Sequence, residues 1–176
     1  MPDSTPASTP ASTRVAQAWS VLDDVLDPEV PALSLRDLGI VRDVVEHADG
    51  LEVVLTPTYS GCPATEVIAQ SVVDAIAAAG LGPVRVTMQR APAWTTDWIS
   101  EAGRRKLRAY GIAPPGPVAV DGAVPIRILG RRADAVPCPR CASAHTERLS
   151  AFGSTACKSL YRCLACAEPF EYFKAI

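Results

Sequence analysis

The sequence predicts an α+β fold: a small mixed sheet with packed helices in the order αββαβα, followed by a small four-cysteine zinc-ribbon module. Three observations carry this. Helix-period stretches alternate with β-rich runs over the first two thirds of the 176-residue chain. Ala48-Asp49-Gly50 is a hairpin signal between two of those runs, with the glycine supplying a positive φ. Near the C-terminus, Cys138-Pro139-Arg140-Cys141 and Cys163-Leu164-Ala165-Cys166 form two Cys-x-x-Cys pairs with 21 residues between them, the spacing of a tetrahedral four-thiolate site.

Residues 1–13 repeat Ser-Thr-Pro-Ala and have too little apolar character to fold, so they read as a disordered tail. Thr13 begins a helix expected to reach about Leu26, with Val15, Ala18, Trp19, Leu22, Val25 and Leu26 on one face. Asp27-Pro28-Glu29 ends it, because a residue preceding proline resists the helical region. A short turn over 34–39 leads to strands at 40–46 and 51–56. Pro63 suits the first turn of a helix reaching Ala79 and stopped by Gly80. A third strand follows at 84–88, then a loop, then a helix from Thr96 or Asp97 to Tyr110. The folded domain is thus expected over 14–112. Residues 113–135 read as a linker with short strands at 118–120 and 126–129. The ribbon occupies 136–176, with β segments at 146–152 and 159–162. A segment of that size cannot fold well on its own core, so its metal must supply most of the ordering energy.

Apolar residues make up 48% of the chain, enough for a real core. A formal charge of −2 gives no global field to attract nucleic acid. No signal peptide and no membrane-length apolar run is visible, so a reducing, cytoplasmic setting is expected, in which paired cysteines favour metal over disulfide.

Cys138, Cys141, Cys163 and Cys166 are the expected metal ligands. Four thiolates leave no open position, so the expected ion is structural zinc, with an iron–sulfur cluster as the alternative for the same ligands. Cys157 and His145 lie between the pairs; the plain readings are a small buried residue and a surface imidazole. Cys62, in Gly61-Cys62-Pro63 before a helix, is either a small buried hydrophobe or an accessible thiol whose anion the helix N-terminus stabilises. In the second case it suits a soft cargo such as iron. Asp27 and Glu29 offer oxygen ligands or a solvated helix stop. Trp94 and Trp98 read as core, or as one helical face. The basic run Arg104, Arg105, Lys106 and Arg108 is a solvated face or a dock for an acidic partner. Nucleophilic catalysis by Cys62 wants a nearby base, and neither His47 nor His145 is obviously placed to serve.

These motifs also carry a resemblance. Asp27-Pro28-Glu29, Arg36-Asp37-Leu38-Gly39-Ile40-Val41, residues 56–63 (Thr-Pro-Thr-Tyr-Ser-Gly-Cys-Pro) and 91–98 (Ala-Pro-Ala-Trp-Thr-Thr-Asp-Trp) resemble the metal–sulfur cluster assembly domain of the SufT-like type. The ribbon and the stretch 152–163 resemble the PaaD-like subfamily, accessory proteins of phenylacetate degradation. The resemblance implies a non-enzymatic maturation factor for the phenylacetyl-CoA 1,2-epoxidase complex. Such a factor assists iron–sulfur assembly in the reductase component, which also carries flavin. It implies Cys62 as the key thiol, Asp27 and Glu29 as the acidic motif, and a role for Cys157. The alternative is a structural subunit of the oxygenase complex. One thiol cannot hold a cluster alone, so a second copy of the chain or a partner would complete the ligation.

Overall fold

Ser12 caps the first helix, its hydroxyl accepting from the Val15 N–H at 3.1 Å. The computed structural model describes residues 12–59, 61, 63–116 and 136–175. Cys62, most of the expected tail and the strands expected at 118–120 and 126–129 lie outside them.

Helix α1 spans Thr13–Leu22 and buries Val15, Ala18 and Leu22. It stops a turn earlier than its periodicity predicts. Residues 25–27 pair instead with 33–35: Leu35 N–H donates to Val25 O and Asp27 N–H to Leu33 O, each at 2.9 Å. That pairing turns Val25 inward and leaves Leu26 exposed, as an extended segment must. It also closes the loop that presents Asp27-Pro28-Glu29.

Strands β1 (Val41–His47) and β2 (Gly50–Leu55) form the expected hairpin, and β3 (Val84–Met88) joins β2 in parallel. The sheet is therefore mixed, in the order β1-β2-β3. On β2, Leu51, Val53 and Leu55 alternate inward. Helix α2 (Thr65–Ala78) makes the crossover between β2 and β3 and buries Ile68, Val72 and Ile76 at four-residue spacing.

The last helix departs from expectation. Residues Thr96–Trp98 form a short 3-10 turn, Ile99 is extended, and α3 runs only over Glu101–Tyr110. Ser100 is the true cap, accepting from the Gly103 N–H at 2.8 Å. Trp94 precedes the turn and is core: its Nε1–H donates to Leu38 O at 2.9 Å. Trp98 is half-buried, with the Arg42 guanidinium 3.6 Å from its ring centroid.

Gly39 is required where it stands. Its φ is +69°, and a Cβ there would meet Trp98 O at 2.6 Å. Gly39→Ala is expected to cost about 3 kcal/mol, from left-handed strain plus overpacking. Urea unfolding of the variant against the wild type reads this directly.

The ribbon sheet has the order β4-β7-β6-β5: β4 is Ile112–Ala113, β5 Thr146–Ser150, β6 Lys158–Cys163 and β7 Pro169–Phe173. Sequence reading names neither β4 nor β7. β4 lies at the expected domain edge and pairs in parallel with β7, so the backbone ladder crosses that edge. The cores meet too. Cys157 and Phe173 of the ribbon belong to the main apolar cluster, which includes Leu38, Ile40, Leu55 and Ile68. A second, smaller cluster sits around Tyr161, Phe170, Cys138 and Cys163. No helix among the described residues is long and apolar enough to cross a membrane.

Candidate metal centre and acidic cleft

The four cysteines of the two pairs converge. Their sulfurs all lie within 4.8 Å of one another, the only such group of potential metal ligands among the described residues. Cys138 Sγ is 3.8 Å from Cys166 Sγ, and Cys141 Sγ is 3.5 Å from Cys163 Sγ. Zinc–sulfur bonds of about 2.3 Å place tetrahedral sulfurs about 3.8 Å apart, so the donor set fits such an ion. The knuckles are built by the backbone. Ala142 N–H donates to Cys138 O at 2.9 Å, and Ala142 takes a positive φ of 60°. At the second knuckle Ala167 likewise takes a positive φ, of 64°, and Cys166 N–H points at Cys163 Sγ at 3.5 Å.

That N–H, with the N–H of Ala165, lowers the Cys163 thiol to about 6. Cys166 moves the other way, to about 12: the Glu168 N–H works to lower it, but the crowded sulfurs of Cys141, Cys163 and Cys138 prevail. Four sulfurs so close resist sharing negative charge, and a divalent cation relieves that repulsion. His145 is exposed and is not one of the group.

A second site lies where the ribbon meets the main domain. Asp27, Glu29 and Cys157 border one small cleft of about 20 Å³, along with Thr58, Thr65 and Met88. Asp27 is 7% exposed, and its Oδ1 accepts from the N–H groups of Glu29 at 2.9 Å and Val30 at 2.7 Å. Burial raises its pKa; the Val30 and Glu29 N–H groups and the positive Lys158 oppose the rise. Cys157 is also buried, its Sγ 3.0 Å from Thr155 Oγ1, and burial pushes its thiol upward.

Thr58, Thr65 and Met88 are shared with a larger open cleft of about 670 Å³. Gly61 and Pro63, the neighbours of Cys62 in sequence, line that cleft with Glu66, Arg90 and Trp94. Thr56 lines it as well, and its Oγ1 is the one buried side-chain polar atom without a hydrogen-bond partner among the described residues. The acidic pair and the residues flanking Cys62 thus border adjoining clefts.

Asp37 stands in the 36–41 motif, but sequence reading gives it no role of its own. It is 7% exposed. Its carboxylate accepts from Lys106 Nζ at 2.5 Å, Ser100 Oγ at 2.9 Å and Ser34 Oγ at 3.2 Å. It thereby ties the turn below the acidic loop to α3. Lys106 belongs to the basic run, so that run is in part structural. Arg104 likewise donates to Pro115 O and Thr96 O, at 2.7 and 2.8 Å.

The fold and the two sites define a class: a mixed α+β domain of the cluster-assembly type, joined through a shared sheet and core to a four-thiolate ribbon. Comparison with known proteins agrees. Residues 16–88 match the family described as iron-sulfur cluster assembly protein, and residues 123–174 match the PaaD zinc beta ribbon domain. An Escherichia coli (strain K12) protein, named as one subunit of a "Putative 1,2-phenylacetyl-CoA epoxidase", is 47% identical over 163 residues, covering 93% of this chain and 94% of that relative. The chain belongs to the PaaD family. Among solved structures, a domain of unknown function (DUF59) from Bacillus anthracis shares the fold, with a TM-score of 0.50 and 23% identity over 53% of this chain and 91% of that one. A conserved hypothetical protein from Thermotoga maritima aligns at a TM-score of 0.45 and 28% identity, over 52% of this chain and 91% of that one.

Proposed function

We propose that this chain is a maturation factor for a phenylacetyl-CoA epoxidase complex. It carries iron or an iron–sulfur cluster to the reductase component and does not perform the ring oxidation. The observation that carries this reading is the fusion of an iron–sulfur cluster assembly domain to a PaaD ribbon in one chain, with 47% identity to a relative named as an epoxidase subunit. The geometry supports it. The acidic loop and the residues that flank Cys62 in sequence border adjoining clefts. Cys62 is the cargo thiol in this reading, and Asp27 and Glu29 are its acidic partners. A second copy or the client completes the ligand set. The ribbon's zinc is structural. The setting is cytoplasmic.

The test is the cluster content of the reductase in cells carrying Cys62→Ser or Asp27→Asn. Asparagine keeps an oxygen to accept the Glu29 and Val30 N–H groups, so Asp27→Asn removes charge and spares the loop. Both variants are expected to fold and to leave the reductase at least about tenfold under-loaded, a loss typical of removing one group that supports a bound metal. Full loading in both would refute the reading. A second reading, a structural component of the complex, is favoured by the relative's being named as a subunit. Stable, stoichiometric co-purification with the oxygenase components would support that reading over transient delivery.

A further inference from the structure

The two strands that flank the second cysteine knuckle also reach the acidic cleft. β6 carries Cys163 at one end and Lys158 at the other, and Cys157 immediately precedes it. β7 ends in Phe173, which pairs in register with Lys158. At the far end of the same ladder Arg162 pairs with Pro169, and Cys163 N–H donates to Glu168 O at 2.9 Å. The four-thiolate site and the cleft therefore sit at opposite ends of one two-stranded unit, about 17–20 Å apart for six residues.

The cleft end is firmly seated. Phe173 is 2% exposed, packs with the main core and lies 6.3 Å from the Trp94 ring, centroid to centroid. The Lys158 side chain is 4% exposed, and its Nζ reaches Glu171 Oε2 at 2.9 Å. Lys174 N–H donates to Cys157 O at 3.0 Å, which closes the ladder beyond Phe173. Cys157 and Phe173 then line the cleft together with Asp27 and Glu29. The acidic loop is held on its own side by two N–H groups on Asp27 Oδ1, by the bonds between 25–27 and 33–35, and by Val30 and Leu33, which are buried in the main core.

We propose that Phe173, backed by the Lys158–Glu171 pair, is a positioning residue of the Asp27 cleft, and that the ribbon's ion sets the shape of that cleft through the β6–β7 ladder. The ribbon is then a wall of the site as well as an appendage. The role of the cleft rests on the function proposed above, but the coupling does not, and its test needs neither cargo nor client.

The test is amide hydrogen exchange on the full chain, read at Glu29 and Val30. Chelating the ribbon's metal is expected to speed exchange at these two amides about tenfold or more, while Val53 in β2 and Val72 in α2 stay protected. Phe173→Ala should do the same with zinc still bound. Phe173→Leu, which refills most of the volume, should return them to wild-type rates. Phe173→Ala is also expected to lose its zinc more readily to a competing chelator, the same coupling seen from the other end. Unchanged exchange at Glu29 and Val30 under both treatments would overturn the proposal. So would loosening that spreads equally to Val53 and Val72.

Discussion

Cys163→Ser is expected to melt the ribbon and spare most of the main domain. Cys163 is fully buried, at 0% exposure, and its sulfur receives the backbone N–H of Cys166 as well as the ion. The ribbon's own cluster contains Ala113, Val136, Tyr161 and Phe170, and its remaining members are the ligands Cys138 and Cys163. So little apolar surface does not hold three strands without metal. A structural zinc contributes on the order of 10 kcal/mol, which exceeds the total stability of most domains this small. Amide exchange is the direct check. Amides of β5, β6 and β7 should lose protection in the variant, while those of β2 and α2 keep it. A ribbon whose amides stay protected without metal would show that its packing suffices.

Asp37→Ala is expected to destabilise the main domain by about 4 kcal/mol, since it strands several donors that converge on one buried carboxylate. Lys106, Ser100 and Ser34 would all lose their acceptor. The loss is discounted for Lys106, whose side chain is half exposed. Burial alone would raise the Asp37 pKa, but the hydrogen bonds from Lys106, Ser100 and Ser34 overcome it and the net shift is downward. The sign of the pH dependence follows. A depressed carboxylate contributes stability above the unfolded value of about 3.9, and that contribution is lost as pH falls through the lower folded pKa. Asp27 works in the opposite sense: its pKa is raised by burial, so its ionised form opposes folding and acid relieves it. Urea midpoints measured between neutral pH and the acid limb should fall for the wild type. They should fall less for Asp37→Ala, which has already lost that contribution.

Much of this was legible in the sequence for physical reasons. The hairpin at 47–50, helix α2 and strand β3 follow local patterns, and local patterns decide them. The four-sulfur site follows from spacing alone, because each pair reaches one ion from one turn. Non-local pairing explains most of what was missed. Helix α1 was expected to run on to Leu26, but residues 25–27 find backbone partners at 33–35 that periodicity cannot foresee. The expected helix from Thr96 is divided because Ser100 bonds to Asp37 of a distant turn, its N–H at 2.8 Å from Asp37 O. β4 is only two residues long and exists because β7 lies beside it. β7 itself left a signal, the aromatic run Phe170, Tyr172 and Phe173, but no turn chemistry announces its start. The placing of Cys157 on one cleft with Asp27 and Glu29 depends on how two segments dock, and no spacing encodes that.

In the proposed function one sulfur handles a transient soft cargo while four others hold a permanent ion. Elemental analysis of protein purified without oxygen, wild type beside Cys62→Ser, tests it most directly. About one zinc per chain is expected in both proteins, as the closed four-thiolate site requires, and iron in the wild type alone. Iron retained at the wild-type level in Cys62→Ser would contradict it.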